Sequence, residues 1–223
     1  MSTFANSIQL SKEFFDDNLH GTYSAMIRKF AMNARSTRDR NAFGIYRGAF
    51  TTTLTADGVS FINNAHPLIE GGTVDNLLTG ALSSTTLNTA MVQLIEQKSQ
   101  DSVVMGQQPA CLLVPSTLYK TALEITGSQL VSDSTTNAIN VYSSTYNIAV
   151  YHSPYLGAAN GGSDTAWFLV SRNHGVTRYI REDITTDLVD YSFSTNNNYV
   201  YKGFYREQYG VSDYVGAVAS TGV

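Results

Sequence analysis

A single cysteine and four histidines bound the nucleophilic and metal chemistry open to this chain. Cys111 with His66 or His152 would make a thiol–imidazole pair for acyl transfer, but a catalytic thiol needs partial exposure and an electropositive neighbourhood. Cys111 stands instead in Ala-Cys-Leu-Leu-Val, a run that reads as a strand buried on both faces, and is expected as a small core hydrophobe. His20, His66, His152 and His174 are widely separated. None has a ligand partner three or four residues away, so each is expected to be structural or exposed.

The remaining candidates are weaker. A glycosidase needs two carboxylates facing each other across a cleft. Asp16-Asp17 is better explained by its place near a helix start, and Glu182-Asp183 by a strand end. The glycine-rich residues 157–163 have no following Lys-Ser/Thr and open no convincing helix, so a phosphate loop is not expected. Tyr199, Tyr201, Tyr205, Tyr209 and Tyr214 lie in alternating text, where aromatics support sheets by cross-strand pairing more readily than they stack on sugars or bases. The expectation is a protein with no catalytic, cofactor-binding or metal-binding residue, and not an enzyme.

Composition fits that expectation. The chain has 223 residues, 43% hydrophobic, enough to bury a core. Only 14% are charged, against roughly 25% in ordinary soluble domains; this suits a surface covered by copies of itself or rich in β structure. A net charge of −4 argues against sequence-specific nucleic-acid binding. The lone cysteine excludes an internal disulfide framework and fits a reducing compartment. No run approaches the roughly 18 apolar residues of a membrane span, and no signal peptide is visible, so synthesis in the cytoplasm is expected.

The elements that would position these residues follow from periodicity and caps. Residues 7–10 alternate as a short strand, and Ser11 stands as an N-cap before a helix from Lys12. Phe15, Leu19, Tyr23, Met26, Ile27, Phe30, Ala31 and Ala34 mark one apolar stripe over about six turns, with Gly21 tolerated within it at a cost of about 1 kcal/mol. Arg28, Lys29, Arg35, Arg38 and Arg40 gather toward its C-terminal half, as a solvated face or as partners for a neighbouring subunit. Residues 50–54 and 59–62 flank Asp57-Gly58 as a hairpin. Ser83-Ser84 caps a helix of Leu87, Ala90, Met91, Leu94 and Ile95 that should end near Gln100.

A buried strand over 110–114 leads through Pro115, in the first turn, and Ser116, as cap, into a helix ended by Gly127. A polar loop is expected at 128–137. Strands are expected at 139–142, 148–151, 166–170, 176–181, 185–193 and 199–209, with 194–198 turning a long hairpin and 211–219 adding a last strand.

The order of these segments resembles the major capsid proteins of tailed bacteriophages. The branch with Mu-like head proteins has an Asp-Gly turn, a short apolar strand and a His-Pro, matched here by Asp57-Gly58, residues 59–62 and His66-Pro67. Further on the family has a buried strand running into a Pro-capped helix, matched by residues 111–114 and Pro115-Ser116. Residues 8–17 resemble the entry to the long spine helix of HK97-type capsid proteins. The resemblance spans residues 7–218 and implies an α+β, HK97-like capsid fold. Residues 1–72 would hold the spine helix and the first part of a β-hairpin-rich peripheral domain, and 73–175 an axial domain of sheet and helices. Residues 176–223 would hold the peripheral long hairpin and the last strand.

The implied function is a structural subunit of a phage head, assembling into hexamers and pentamers of an icosahedral shell in the virion. The implied partners are further copies of itself, portal, scaffold or decoration proteins, and enclosed DNA without sequence-specific contact, with no membrane. The family's extended N-terminal arm and extended loop have no counterpart in the seven residues before Ile8. An encapsulin-like nanocompartment shell is the alternative, and a β-rich carbohydrate-binding module a more distant one; the stretch from Asp57-Gly58 to His66-Pro67 favours the phage.

Overall fold

A computed structural model describes residues 1–17, 21–127, 142–189 and 198–223. It begins with β1 (Ser2–Ser11), longer than the short strand expected because its whole length pairs with a strand near the C-terminus. The Ser11 hydroxyl accepts from the Phe14 amide at 3.2 Å and caps α1 (Lys12–Asp16). The single long helix expected from Lys12 does not form. Gly21 has φ +65, a left-handed conformation that cannot continue a right-handed helix, so the chain restarts as α2 (Thr22–Arg47). Leu19 lies outside the described residues.

Past Arg47 the Gly48 carbonyl accepts from the amides of Thr51, Thr52 and Thr53 and closes the helix end. The expected hairpin around Asp57-Gly58 is reduced to one bridge, Leu54 to Ser60. The chain here spends its hydrogen bonds on a compact turn in which the Asp57 carboxylate accepts from the Val59 amide at 3.0 Å. Three short strands follow: β2 (His66–Pro67), β3 (Thr73–Val74) and β4 (Leu77–Leu78).

The helix α3 (Ser84–Ile95) starts in a capping box of Ser83 with Thr86. It stops short of Gln100, at Glu96. The next residue, Gln97, is buried, and its amide group serves other backbone: it accepts from Gly216 at 2.8 Å and donates to the carbonyls of Tyr214 and Ala217.

Next come β5 (Pro109–Val114) and α4 (Tyr119–Gly127). Between them Ser116–Leu118 forms a 3-10 turn, with Pro115 preceding its first residue, so neither Pro115 nor Ser116 caps α4 as expected. The expected loop at 128–137 and residues 139–141 of an expected strand lie outside the described residues; Tyr142 opens a π-helical turn, Tyr142–Tyr146, and belongs to no strand. Then come β6 (Ala149–His152), β7 (Trp167–Ser171), β8 (Val176–Val189), β9 (Asn198–Val211) and β10 (Ala217–Ser220). β8 is one continuous strand over its described length where two segments were expected, and most of the expected turn at 194–198 lies outside the described residues.

The contacts divide the chain into two compact units. One comprises Met1–Ala42 and Arg178–Gly210, built on a three-stranded sheet in the order β1, β9, β8. In it β1 runs antiparallel to β9, placing Phe4 opposite Tyr205 with rings stacked at 4.9 Å. Phe30 from α2 meets Tyr201 edge-on at 5.7 Å. It lies against Gly203 so closely that a Cβ there would fall 2.6 Å from its ring. Only glycine lets the helix approach this strand.

The other unit, Phe43–Thr177 with Val211–Val223, holds a five-stranded sheet in the order β4, β10, β7, β5, β6. β5 and β6 are parallel, as are β10 and β4, whereas β7 is antiparallel to both its neighbours. All five residues of β7 are buried because the sheet is covered on both faces. Trp167 and Leu169 pack with Leu87, Leu94, Leu112 and Val218 on one side, and Phe168 meets Tyr46 and Phe50 on the other. This division departs from boundaries after 72 and 175. Residues 43–72 belong with the five-stranded sheet, and the last strand joins that sheet through β4 and β7 rather than extending the β8–β9 pair.

Candidate functional site

The residues with chemical potential are dispersed. Cys111 is only half-buried, a correction to the both-faces reading: Ala110 and Cys111 of β5 keep partial exposure, and the continuous buried run begins at Leu112. Burial still pushes its thiol pKa up, away from the thiolate that nucleophilic attack requires. His152 on β6 pairs with Val114, three residues along β5 from Cys111, about 10 Å by strand rise and beyond hydrogen-bond reach. It is engaged with the Tyr119 ring at 4.1 Å. Among the described residues no group of three His, Cys, Asp or Glu is placed to hold a metal ion, and no helix is long and apolar enough to cross a membrane.

His66 is fully buried, and its surroundings explain the Asp-Gly to His-Pro spacing. Its Nδ1 lies 2.7 Å from the Asp57 carboxylate and its Nε2 3.2 Å from Asn76 Oδ1, while the ring stacks on Tyr214 at 4.2 Å. Asn76 donates to the carbonyls of Phe61 and Ala217 and accepts from the Asn63 amide. The turn at 57, the strand at 66 and the segment leading to β10 are therefore tied at one point. Burial alone would raise the pKa of Asp57, but hydrogen bonds from Thr55, His66 and Val59 outweigh it and hold the carboxyl below its ordinary value. Burial next to Asp213 and Asp57 pushes the Tyr214 phenol up to about 12. These contacts make the node a clasp that ties three segments of the chain together.

The unit of Met1–Ala42 and Arg178–Gly210 holds a second polar cluster. The Glu207 side chain is fully buried on β9; its Oε2 accepts from Arg38 Nε at 3.0 Å and from Arg178 Nη2 at 2.7 Å, and its Oε1 accepts from the Tyr209 hydroxyl at 3.2 Å. Arg38 also donates to Asp183 at 2.6 Å and lies over the Tyr205 ring at 5.2 Å. The hydrogen bond from Arg38 holds the exposed Asp183 carboxyl below its usual range. Of the cluster Arg28, Lys29, Arg35, Arg38 and Arg40 on α2, Arg38 thus has its partners within its own chain. Sequence reading missed Glu207 because a glutamate in alternating strand text looks solvent-facing.

This unit also leaves an apolar surface uncovered. β8 forms one edge of the three-stranded sheet and carries Tyr179, Ile180, Ile184 and Leu188, each 38–50% exposed. A groove of about 360 Å³ runs between the sheet and α2, lined by Phe4, Phe30, Ala34, Ile184, Tyr201 and Tyr205. The Tyr205 hydroxyl is buried and meets no hydrogen-bond partner. A long edge strand with apolar side chains in water is open to pairing with another chain.

Comparison with known proteins agrees with this geometry. Solved structures of similar fold include the bacteriophage PhiM1 mature capsid, with TM-score 0.60 and 11% identity over 99% of this chain and 70% of that one. The SrpI encapsulin of Synechococcus elongatus PCC 7942 has TM-score 0.59 and 12% identity over 100% and 74%. The head of Helicobacter pylori bacteriophage KHP40 has TM-score 0.53 and 9% identity over 100% and 76%. These identities establish the HK97-like fold alone, which phage heads and an encapsulin share. A search of curated proteins found none that matches. A family model described as phage capsid protein matches residues 1–220, nearly the whole chain. The chain belongs to the phage capsid protein family, and is a structural subunit of a capsid shell.

Proposed function

We propose that this subunit assembles with copies of itself into hexamers and pentamers that close an icosahedral shell around packaged DNA in the virion, and that it acts without catalysis or cofactor. The observation that carries this reading is the exposed apolar edge of β8 with the adjoining groove. Left in water these surfaces cost free energy, and each contact they offer is modest. Repeated around a closed assembly, such contacts become strong through multivalency. In this reading the unit of Met1–Ala42 and Arg178–Gly210 serves as the peripheral domain and the five-stranded unit as the axial domain. Portal, scaffold or decoration proteins would bind the assembled form. Family membership favours the phage head over an encapsulin-like compartment.

Electron microscopy and sedimentation velocity on the concentrated full chain test this directly. Capsomers or closed shells are expected, and Ile180→Asp with Leu188→Asp should prevent them while leaving the circular dichroism spectrum unchanged. A chain that stays monomeric under all conditions, or a double variant that assembles normally, contradicts the reading.

A further inference from the structure

We infer that the solvent face of α2 between Arg28 and Arg40 is a docking surface for the phosphate backbone of nucleic acid, resting on the reading that the shell encloses DNA. Arg28, Lys29, Arg35 and Arg40 are all exposed. On a helix of 3.6 residues per turn they fall on one side, opposite the half-buried or buried Tyr23, Met26, Ile27, Phe30, Ala34 and Arg38. Arg38, turned inward, is neutralised by Glu207 and Asp183. The four outward cations have no ion-pair partner among the described residues, and Asp39 is the one carboxylate on their face. In a chain of net charge −4 this is a local reversal of sign.

The geometry of the stripe selects the partner. Twelve residues of helix rise place its outer charges about 18 Å apart, with a charge about every one and a half turns. Regularly spaced phosphates meet such a row along its whole length without any base being read. The competing partner is an acidic face on a second copy. The densest set of exposed carboxylates near one helix, Glu13, Asp16 and Asp17, covers only about 6 Å of rise and would leave most of the row unpaired. Asp57, Asp183 and Glu207 are already engaged. Both considerations point to a polyanion longer than a single turn of helix.

The test is fluorescence anisotropy of the full chain with a short duplex of random sequence, titrated across salt, alongside the variant Arg28→Gln/Lys29→Gln/Arg35→Gln/Arg40→Gln. Four phosphate contacts predict a log–log salt slope of about −3.6, hence about a hundredfold loss of affinity between 50 and 200 mM salt. The variant should lose at least tenfold in affinity at low salt while forming the same assemblies by sedimentation. Absence of wild-type binding at low salt, a salt slope near zero, or equal binding by the variant overturns the inference. So does a variant that stops assembling when the wild type has no affinity for the duplex, which would assign the stripe to an acidic face of another copy. The wild-type slope needs no variant to fold, and wild-type binding without shells would count against the capsid assembly alone.

Discussion

The two units of this chain solve the problem of burying a sheet in opposite ways. The five-stranded sheet is covered on both faces by its own helices and aromatics, so Trp167, Leu112, Leu169 and Val218 are all fully buried. The three-stranded sheet has one helix to cover it and leaves Tyr179, Ile180, Ile184 and Leu188 in water along a 14-residue edge strand. It compensates with charge: Glu207 draws Arg38 and Arg178 together where an apolar core would otherwise be needed. Buried ion pairs hold geometry more than they add stability, since desolvation offsets much of the attraction. The first unit is thus complete as a folded body. The second is shaped in advance and, on the proposed reading, finished by neighbours.

That contrast makes the costs of substitution unequal. Trp167→Ala removes the largest side chain of the five-stranded core and should cost about 4 kcal/mol, enough to abolish cooperative unfolding by denaturant at ambient temperature. A loss as small as about 1 kcal/mol would mean that the sheet core is not the main source of stability. Glu207→Gln should cost about 2 kcal/mol, less than a fully buried pair because both arginines are partly exposed. Its larger signature is assembly failure with secondary structure retained, which sedimentation beside circular dichroism would show. Loss of fold and assembly together would erase the distinction between the units.

The smallest expected effect is in acid. The folded Asp57 has a depressed pKa, so its contribution is fully present above the unfolded value, near pH 4, and lost as pH falls through the lower folded value. Acid unfolding followed by circular dichroism should therefore begin below about pH 4, and Asp57→Asn should flatten that dependence. An unchanged acid limb in the variant would show that the clasp around His66 does not govern it.

The sequence announced the first unit better than the second. Ser83 before a periodic stripe, and the apolar text of β5 and β7, are local signals whose elements formed nearly where expected. Phe30, legible from helical periodicity, and Leu113, legible from an unbroken apolar run, are both buried. Gly21 was not, since a glycine tolerated inside a helix and one that breaks it read the same until the backbone angle is known. Nor were the partners of Arg38, which lie 145 and 169 positions away. The pairing of β10 with β4 and β7 likewise depends on contacts between distant parts of the chain. Periodicity and spacing left His66 as either structural or exposed; its burial and its clasp through Asp57 and Asn76 needed coordinates. No local pattern distinguishes a buried histidine held by a turn from a solvated one.

The central claim, that one unit is finished by folding and the other by assembly, is tested most directly by hydrogen–deuterium exchange on free subunits and on assembled shells. Amides of β5 and β7 should be protected equally in both states. Amides of β8, along the free edge of the three-stranded sheet, should exchange readily in the free subunit and become protected in shells. Equal protection of β8 in both states, or its continued exchange within shells, would contradict the account.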